Sequence, residues 1–308
     1  MGKEIREVFS PEMLKKSAKM NRMMNRPAKG SMSSKASLYI VRYAIGKMYR
    51  SVPKVKGTRF TKVTLGKTPA ILAEYGESNK SRDIIVYIHG GAFMSGSAAS
   101  SRGYISCLAE YSGCRVYSLD YTLSPEVKYP VAFNECIDAV NDLIKNDPDS
   151  NITLVGDSAG GNLSLAVALK LKETGKISCV IAHSPVTDFS DTLDRAKYKK
   201  DGIVVGNGLK STFKTLYFPD HDEKDPFISP FFGDYNGFPP TFITCDVNES
   251  LYADARDIYE KCEASGTRVQ MVALKGAFHA FAVMGYGTPE TRKIVEDCID
   301  FMRTVTAG

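Results

Sequence analysis

The sequence predicts an α/β protein with a mostly parallel sheet and helices on both of its faces. Three observations predict it: short β-rich runs alternate with longer helical stretches from residue 59, a glycine-flanked serine sits at one strand-to-helix junction, and a His-Gly-Gly run follows another strand. The strands read as "RFTKVTL", "AILAEY", "DIIVYIH", "RVYSLD", "NITLVG", "CVIAHS", "PTFITCD" and "RVQMVAL". Helices are expected near 99–112, 131–146, from 158 onward, 249–265 and 289–304. Residues 188–238, rich in Asp, Lys, Gly and Pro, interrupt the rhythm and read as an insertion. In open sheets of this kind ligands bind at the carboxyl ends of the strands, so any chemistry belongs there.

Ahead of the alternation, Ile5, Val8, Phe9, Met13, Leu14, Met20 and Met24 recur at helical spacing over 4–25. Leu38, Val41, Ile45, Met48 and Tyr49 repeat the pattern over 37–50. Two amphipathic helices are expected, joined by the small, polar connector "RPAKGSMSSKAS". The division expected is a helical segment over 1–57 and a main domain over 58–308.

With 308 residues and 43% hydrophobic content, the chain has ample material for a large core. No window reaches 18 uninterrupted apolar residues, and "MGKEIREVFSPEMLKKSAKM" is too charged to hold a signal-peptide core. A cytoplasmic protein without stable membrane insertion is expected. Seven scattered cysteines, mostly inside apolar runs, fit buried thiols better than a disulfide framework. CxxC, HExxH and HxxxH spacings are absent, so a protein-built zinc site is not expected; no cofactor is expected either. The net charge of +5 is uneven, since residues 1–60 hold fifteen Lys/Arg against three Glu. Interleaved with an apolar stripe, these charges read as a solvated helix face; attraction to a membrane surface is the other reading. No nucleic-acid module is recognisable. The "LGKT" at 65–68 is no phosphate loop, because the position needing an upstream glycine is Thr61 and Pro69 follows at once.

The chemistry-bearing stretch is "NITLVGDSAGGNLSLAVALK", where Gly156 and Gly160 flank Ser158 between a strand and a helix. A serine on so tight a turn is held out as a nucleophile; the pentapeptide alone fits equally a turn in which Ser158 caps the helix. Upstream, "VYIHGGAFMSGS" places uncovered backbone N–H groups directly after a strand. Gly90 and Gly91, with Ala159 after the serine, are the expected donors to a tetrahedral oxyanion. His89 precedes those donors and reads as a brace for the loop. Of the other histidines, His183 lies in an apolar strand and His221 in the insertion. His279 remains as the base, in "LKGAFHAF" after the strand "RVQMVAL", where the chain order Ser, acid, His requires it. The acid must accept a hydrogen bond from that imidazole, and Asp246, Glu249 and Asp254 are available.

Taken together, these residues resemble the hormone-sensitive-lipase-like branch of the α/β-hydrolases, the bacterial family IV carboxylesterases. The resemblance runs from about residue 84 to 281 and rests on "HGG", "DYTLSPEVKYPVAFNE", "GDSAGGNLS", "SPVTDFS", "DPFISPFFGD" and "FHAF". It implies an α/β-hydrolase fold with an eight-stranded sheet, and a helical cap built from 1–57 and 190–225. It implies a serine carboxylesterase acting on small-molecule, short-chain esters, with acetylated sugars and amides as further candidates. A homodimer is compatible with it. Two departures stand out. Ala92 replaces the family's third glycine, and the segment matching its Asp-x-Leu acid motif is Glu249-Ser250-Leu251. Glu249 is therefore the first choice for the acid and Asp246 the second. Receptors that share this fold have lost the histidine, and His279 argues for an enzyme over a non-catalytic binder.

Overall fold

The computed structural model describes residues 2–24, 35–195, 197 and 213–306. Nine strands form one sheet: β1 (Lys3–Glu7), β2 (Arg59–Leu65), β3 (Thr68–Glu74), β4 (Asp83–Ile88), β5 (Arg115–Leu119), β6 (Asn151–Asp157), β7 (Ile177–His183), β8 (Thr241–Asp246) and β9 (Val269–Lys275). Their spatial order is β1-β9-β8-β7-β6-β4-β5-β3-β2. β3 runs antiparallel to both β2 and β5, and every other neighbouring pair is parallel. The helices are α1 (Pro11–Met24), α2 (Lys35–Arg50), α3 (Arg102–Ser112), α4 (Val131–Asn146), α5 (Ala159–Leu171), α6 (Tyr252–Ala264) and α7 (Pro289–Thr306).

Central strands are apolar on both faces because helices cover both. Ile84, Ile85, Val86, Tyr87 and Ile88 of β4 are all fully buried, which is what near-continuous hydrophobic runs in parallel sheets predict. One core layer joins the sheet to α4, α5 and α6. The other joins it to α3 and α7, with Met13 of α1 and Tyr49 of α2 at its margin. All seven cysteines are free and buried in these layers. No described helix is long and apolar enough to cross a membrane.

The N-terminus corrects two expectations. A helix was expected throughout 4–25, and the sheet was expected to have eight strands; residues 3–7 instead form β1, a ninth strand, in parallel register with β9 from Lys3 opposite Met271 to Glu7 opposite Lys275. The helix starts only at Pro11, where the Ser10 hydroxyl accepts from the Met13 N–H at 3.1 Å. Ser-Pro-Glu at 10–12 is a helix-start signal, with a capping serine followed by a proline that needs no donor. Glu290, in the first turn of α7, accepts from the N–H groups of Phe9 and Ser10 at 3.0 and 2.7 Å and from the Ser10 hydroxyl at 2.6 Å. The connector at 25–34 lies outside the described residues, as does most of 196–212 within the 190–225 segment expected in the cap.

Candidate active site

β4, β6, β7, β8 and β9 are consecutive parallel neighbours in space, so their carboxyl ends converge on one edge of the sheet. Ser158 follows the central one, β6, in a conformation that L-residues rarely adopt, with φ 54° and ψ −117°. Such a backbone persists only where its surroundings over-determine it. Here the Ser158 N–H donates to the His183 carbonyl at 2.8 Å. The buried Asn162 amide ties the first turn of α5 to the Val186 and Ile228 carbonyls, each at 2.8 Å. The flanking glycines are there for space. A Cβ on Gly156 would stand 2.2 Å from the Gly160 carbonyl oxygen, and one on Gly160 would stand 1.9 Å from that of Ile88.

His279 and Glu249 meet across the ends of β9 and β8. The His279 Nδ1–H donates to Glu249 Oε2 at 2.5 Å, with His279 half-buried and Glu249 almost fully buried. The second oxygen of Glu249 accepts from the Ser184 hydroxyl at 2.6 Å and from the Asp246 N–H at 3.0 Å. These contacts set the carboxylate in one orientation. They also hold Nδ1 in its protonated form, which leaves the Nε2 lone pair facing outward from the dyad.

Asp246 is the neighbour of this arrangement and makes no contact with the imidazole among the described hydrogen bonds. Its Oδ2 accepts from the Ala277 N–H at 2.6 Å and its Oδ1 from the Asn248 N–H at 2.8 Å, so it fastens the loop that carries His279. The longer glutamate three residues on folds back over the strand end to reach the ring. Asp254 serves elsewhere: it pairs with the buried Arg195 at 2.6 Å and accepts from the Thr187 N–H at 2.7 Å.

The His-Gly-Gly loop requires one correction. Gly90 was expected to offer its N–H to an oxyanion, but that group donates to Asp157 Oδ1 at 2.9 Å. No described hydrogen bond takes up the N–H of Gly91, Ala92 or Ala159. Gly91 and Ala92 have positive φ of 118° and 58°, so the backbone is sharply turned where these N–H groups lie. His89 braces this loop, as expected: its Nδ1–H donates to the Gly90 carbonyl at 2.8 Å and its ring stacks on Tyr121 at 4.4 Å. Burial lowers its pKa. Burial likewise pushes His183 down to about 3, where it bonds the Tyr104 and Thr244 hydroxyls inside the core. His221 packs edge-on against Tyr129.

Three positioning groups escape a reading of the sequence. Ser184, at φ 45°, donates to Glu249 and accepts the Ala280 N–H at 3.0 Å, so it links the ends of β7, β8 and β9. Asp157 is buried and accepts the Tyr87 hydroxyl at 2.5 Å in addition to the Gly90 N–H. Tyr49, arriving from α2, donates its hydroxyl to the other Asp157 oxygen. The only sequence signal for these is a buried-strand aspartate immediately before the serine, an expensive residue to bury without partners.

Comparison with known proteins bears on the family and the fold. Residues 85–283 match the family model of the alpha/beta hydrolase fold. The chain is 32% identical over 227 residues to a protein named Esterase from Acinetobacter venetianus, covering 71% of this chain and 74% of that one. It is 29% identical over 226 residues to an acetyl-hydrolase of Streptomyces hygroscopicus, covering 72% and 76%. A crystal structure of an esterase from the bacterial hormone-sensitive lipase family superposes with a TM-score of 0.84 at 25% identity, over 97% of this chain and 99% of that one. The chain belongs to the α/β-hydrolases, in the esterase branch that resembles hormone-sensitive lipase.

Proposed function

We propose that the carboxylesterase activity of this chain runs through an acyl-enzyme on Ser158. Ser158 Oγ attacks the ester carbonyl carbon while its proton passes to His279 Nε2. The C–O bond to the alcohol then breaks, and the same proton leaves with the alkoxide oxygen. Water attacks the acyl-enzyme by the reverse assignment, giving up a proton to Nε2 and releasing the carboxylate as Ser158 recovers its hydrogen. Glu249 keeps the imidazole in the reactive tautomer and stabilises the imidazolium. Gly91, Ala92 and Ala159 have N–H groups free for the oxyanion, and they replace Gly90 in that role; one such donor is worth about 3 kcal/mol in the transition state.

The single observation that carries this reading is the His279–Glu249 hydrogen bond at 2.5 Å, on the same sheet edge as a strained, half-buried serine. Short acyl chains are the proposed substrates, in keeping with the acetyl-hydrolase among the relatives. The helices α1 and α2, with part of 190–225, are read as a cap over the catalytic sheet. Seven unpaired thiols suit a reducing compartment such as the cytoplasm. A panel of p-nitrophenyl esters from acetate to longer acyl chains tests the proposal. Turnover should be highest on short chains and fall by roughly a millionfold in Ser158→Ala. Turnover retained in that variant would refute the acyl-enzyme, and a preference for long chains would refute the substrate class.

A further inference from the structure

A cavity of about 400 Å³ lies between α1, α2 and the loop that carries His279. Met20, Met48, Phe278 and Met284 supply its apolar surface. Ser158, His279, Glu249 and Gly91 are not among its lining residues, and Phe278, the residue before His279, marks where it adjoins the site described above. Methionine is unbranched and polarisable, and a pocket built from it adapts to a flexible apolar chain. A volume of this order suits a small ligand.

The mouth of the cavity has the opposite character. Lys16, Lys19 and Lys47 line it; Lys19 and Lys47 are exposed and Lys16 is half-buried. None of the three belongs to an ion pair among the described residues, and no carboxylate is among the lining residues. Three uncompensated ammonium groups at one opening create a local positive potential that a neutral ligand does not relieve. An ester with no charge gains nothing from them. A ligand with one alkyl chain and one anionic head group uses both halves of the site.

We propose that this cavity binds a single-chain amphiphilic anion, with the alkyl tail among Met20, Met48 and Met284 and the head group on the three lysines. The inference is independent of the ester-hydrolysis reading, because binding requires no turnover. Its site is a concavity sized for one chain, which separates it from adsorption of the whole basic segment to a bilayer.

The test is calorimetric titration of the full chain with sodium octanoate, set beside octanol, sodium acetate and phosphatidylglycerol vesicles. Octanoate should bind, acetate should not, and octanol should bind at least about tenfold more weakly, with the octanoate affinity falling as salt rises. Replacing the three lysines together (K16Q, K19Q, K47Q) should weaken octanoate by about tenfold. Ala44→Trp, at an exposed lining position, should block the cavity without altering charge. Thermal melts of both variants check that they fold, and turnover of a neutral ester by the lysine variant should be unchanged. Four results would each overturn the proposal: no octanoate binding, equal binding of octanol, unchanged affinity in either variant, or binding to vesicles with none to octanoate.

Discussion

The serine turn and the N-terminal segment are built on opposite rules. Around Ser158 the buried carboxylates are held by assigned partners, and Asp157, Glu249 and His183 are all at most 1% exposed. In the N-terminal segment most of the charges face solvent, with Arg6, Lys16 and Arg42 half-buried. Of seven large hydrophobic residues that stand exposed among the described ones, six (Ile5, Phe9, Leu14, Tyr39, Ile40 and Tyr43) precede residue 44. The difference teaches where geometry is enforced. A reacting serine needs one backbone conformation, and close packing supplies it; the N-terminal face needs only to stay attached, which it does through a few buried anchors.

After the loss of Ser158 itself, the largest expected effect falls at the dyad. Glu249→Ala should lower kcat by about 10⁴-fold, since the imidazole loses its tautomer and its counter-charge. Asp246→Asn should cost far less, because an amide oxygen still accepts one of the two loop N–H groups that the carboxylate holds, and the Glu249 bond to the imidazole is left in place. Steady-state kinetics on both variants compares them, and a larger loss in the second would move the acid to Asp246.

Next comes the anchor that joins the two regions. The Tyr49 hydroxyl of α2 loads the Asp157 carboxylate, which in turn positions the Gly90 N–H and so the peptides after it. Tyr49→Phe should lower kcat by about tenfold, the scale of one hydrogen bond to a buried charge, with KM little changed. A change confined to KM, or none at all, would show that α2 is merely resting on the elbow.

A smaller effect separates the regions by pH. His183 is neutral in the folded core, with its pKa pushed down to about 3, and takes up a proton near its ordinary 6.5 once unfolded. The stability that depends on its neutrality is complete above pH 6.5 and declines as the pH falls toward 3. Between pH 7.5 and 5.5 this group alone should remove about 1.4 kcal/mol, measurable by urea unfolding. Buried His89 acts in the same direction. Both histidines are fully buried, so the loss belongs to the core.

Much of the proposed site is read from the sequence because its parts are short and local. Ser158 announces itself by the glycines that its turn needs, and His279 by a glycine-containing loop after a strand. Glu249 is legible through its position before Ser250 and Leu251, although spacing alone kept Asp246 and Asp254 in contention. What stayed hidden depends on proximity in space. Whether the Gly90 N–H is free is decided by Asp157, 67 residues away in the chain. Ser184 acquires its role only where three strand ends meet. β1 hides for a related reason: five residues with a single apolar side chain, paired with a strand at the far end of the sequence, satisfy a helical pattern just as well until Ser10 and Pro11 are read as a start signal.

The most direct measurement of the central claim is covalent labelling with a fluorophosphonate, followed by mass mapping of the adduct. A single adduct is expected on Ser158, at full yield in Asp246→Asn and strongly reduced in His279→Ala, because the base that activates the hydroxyl is gone. An adduct on any other residue, or labelling that persists in Ser158→Ala, would contradict the account.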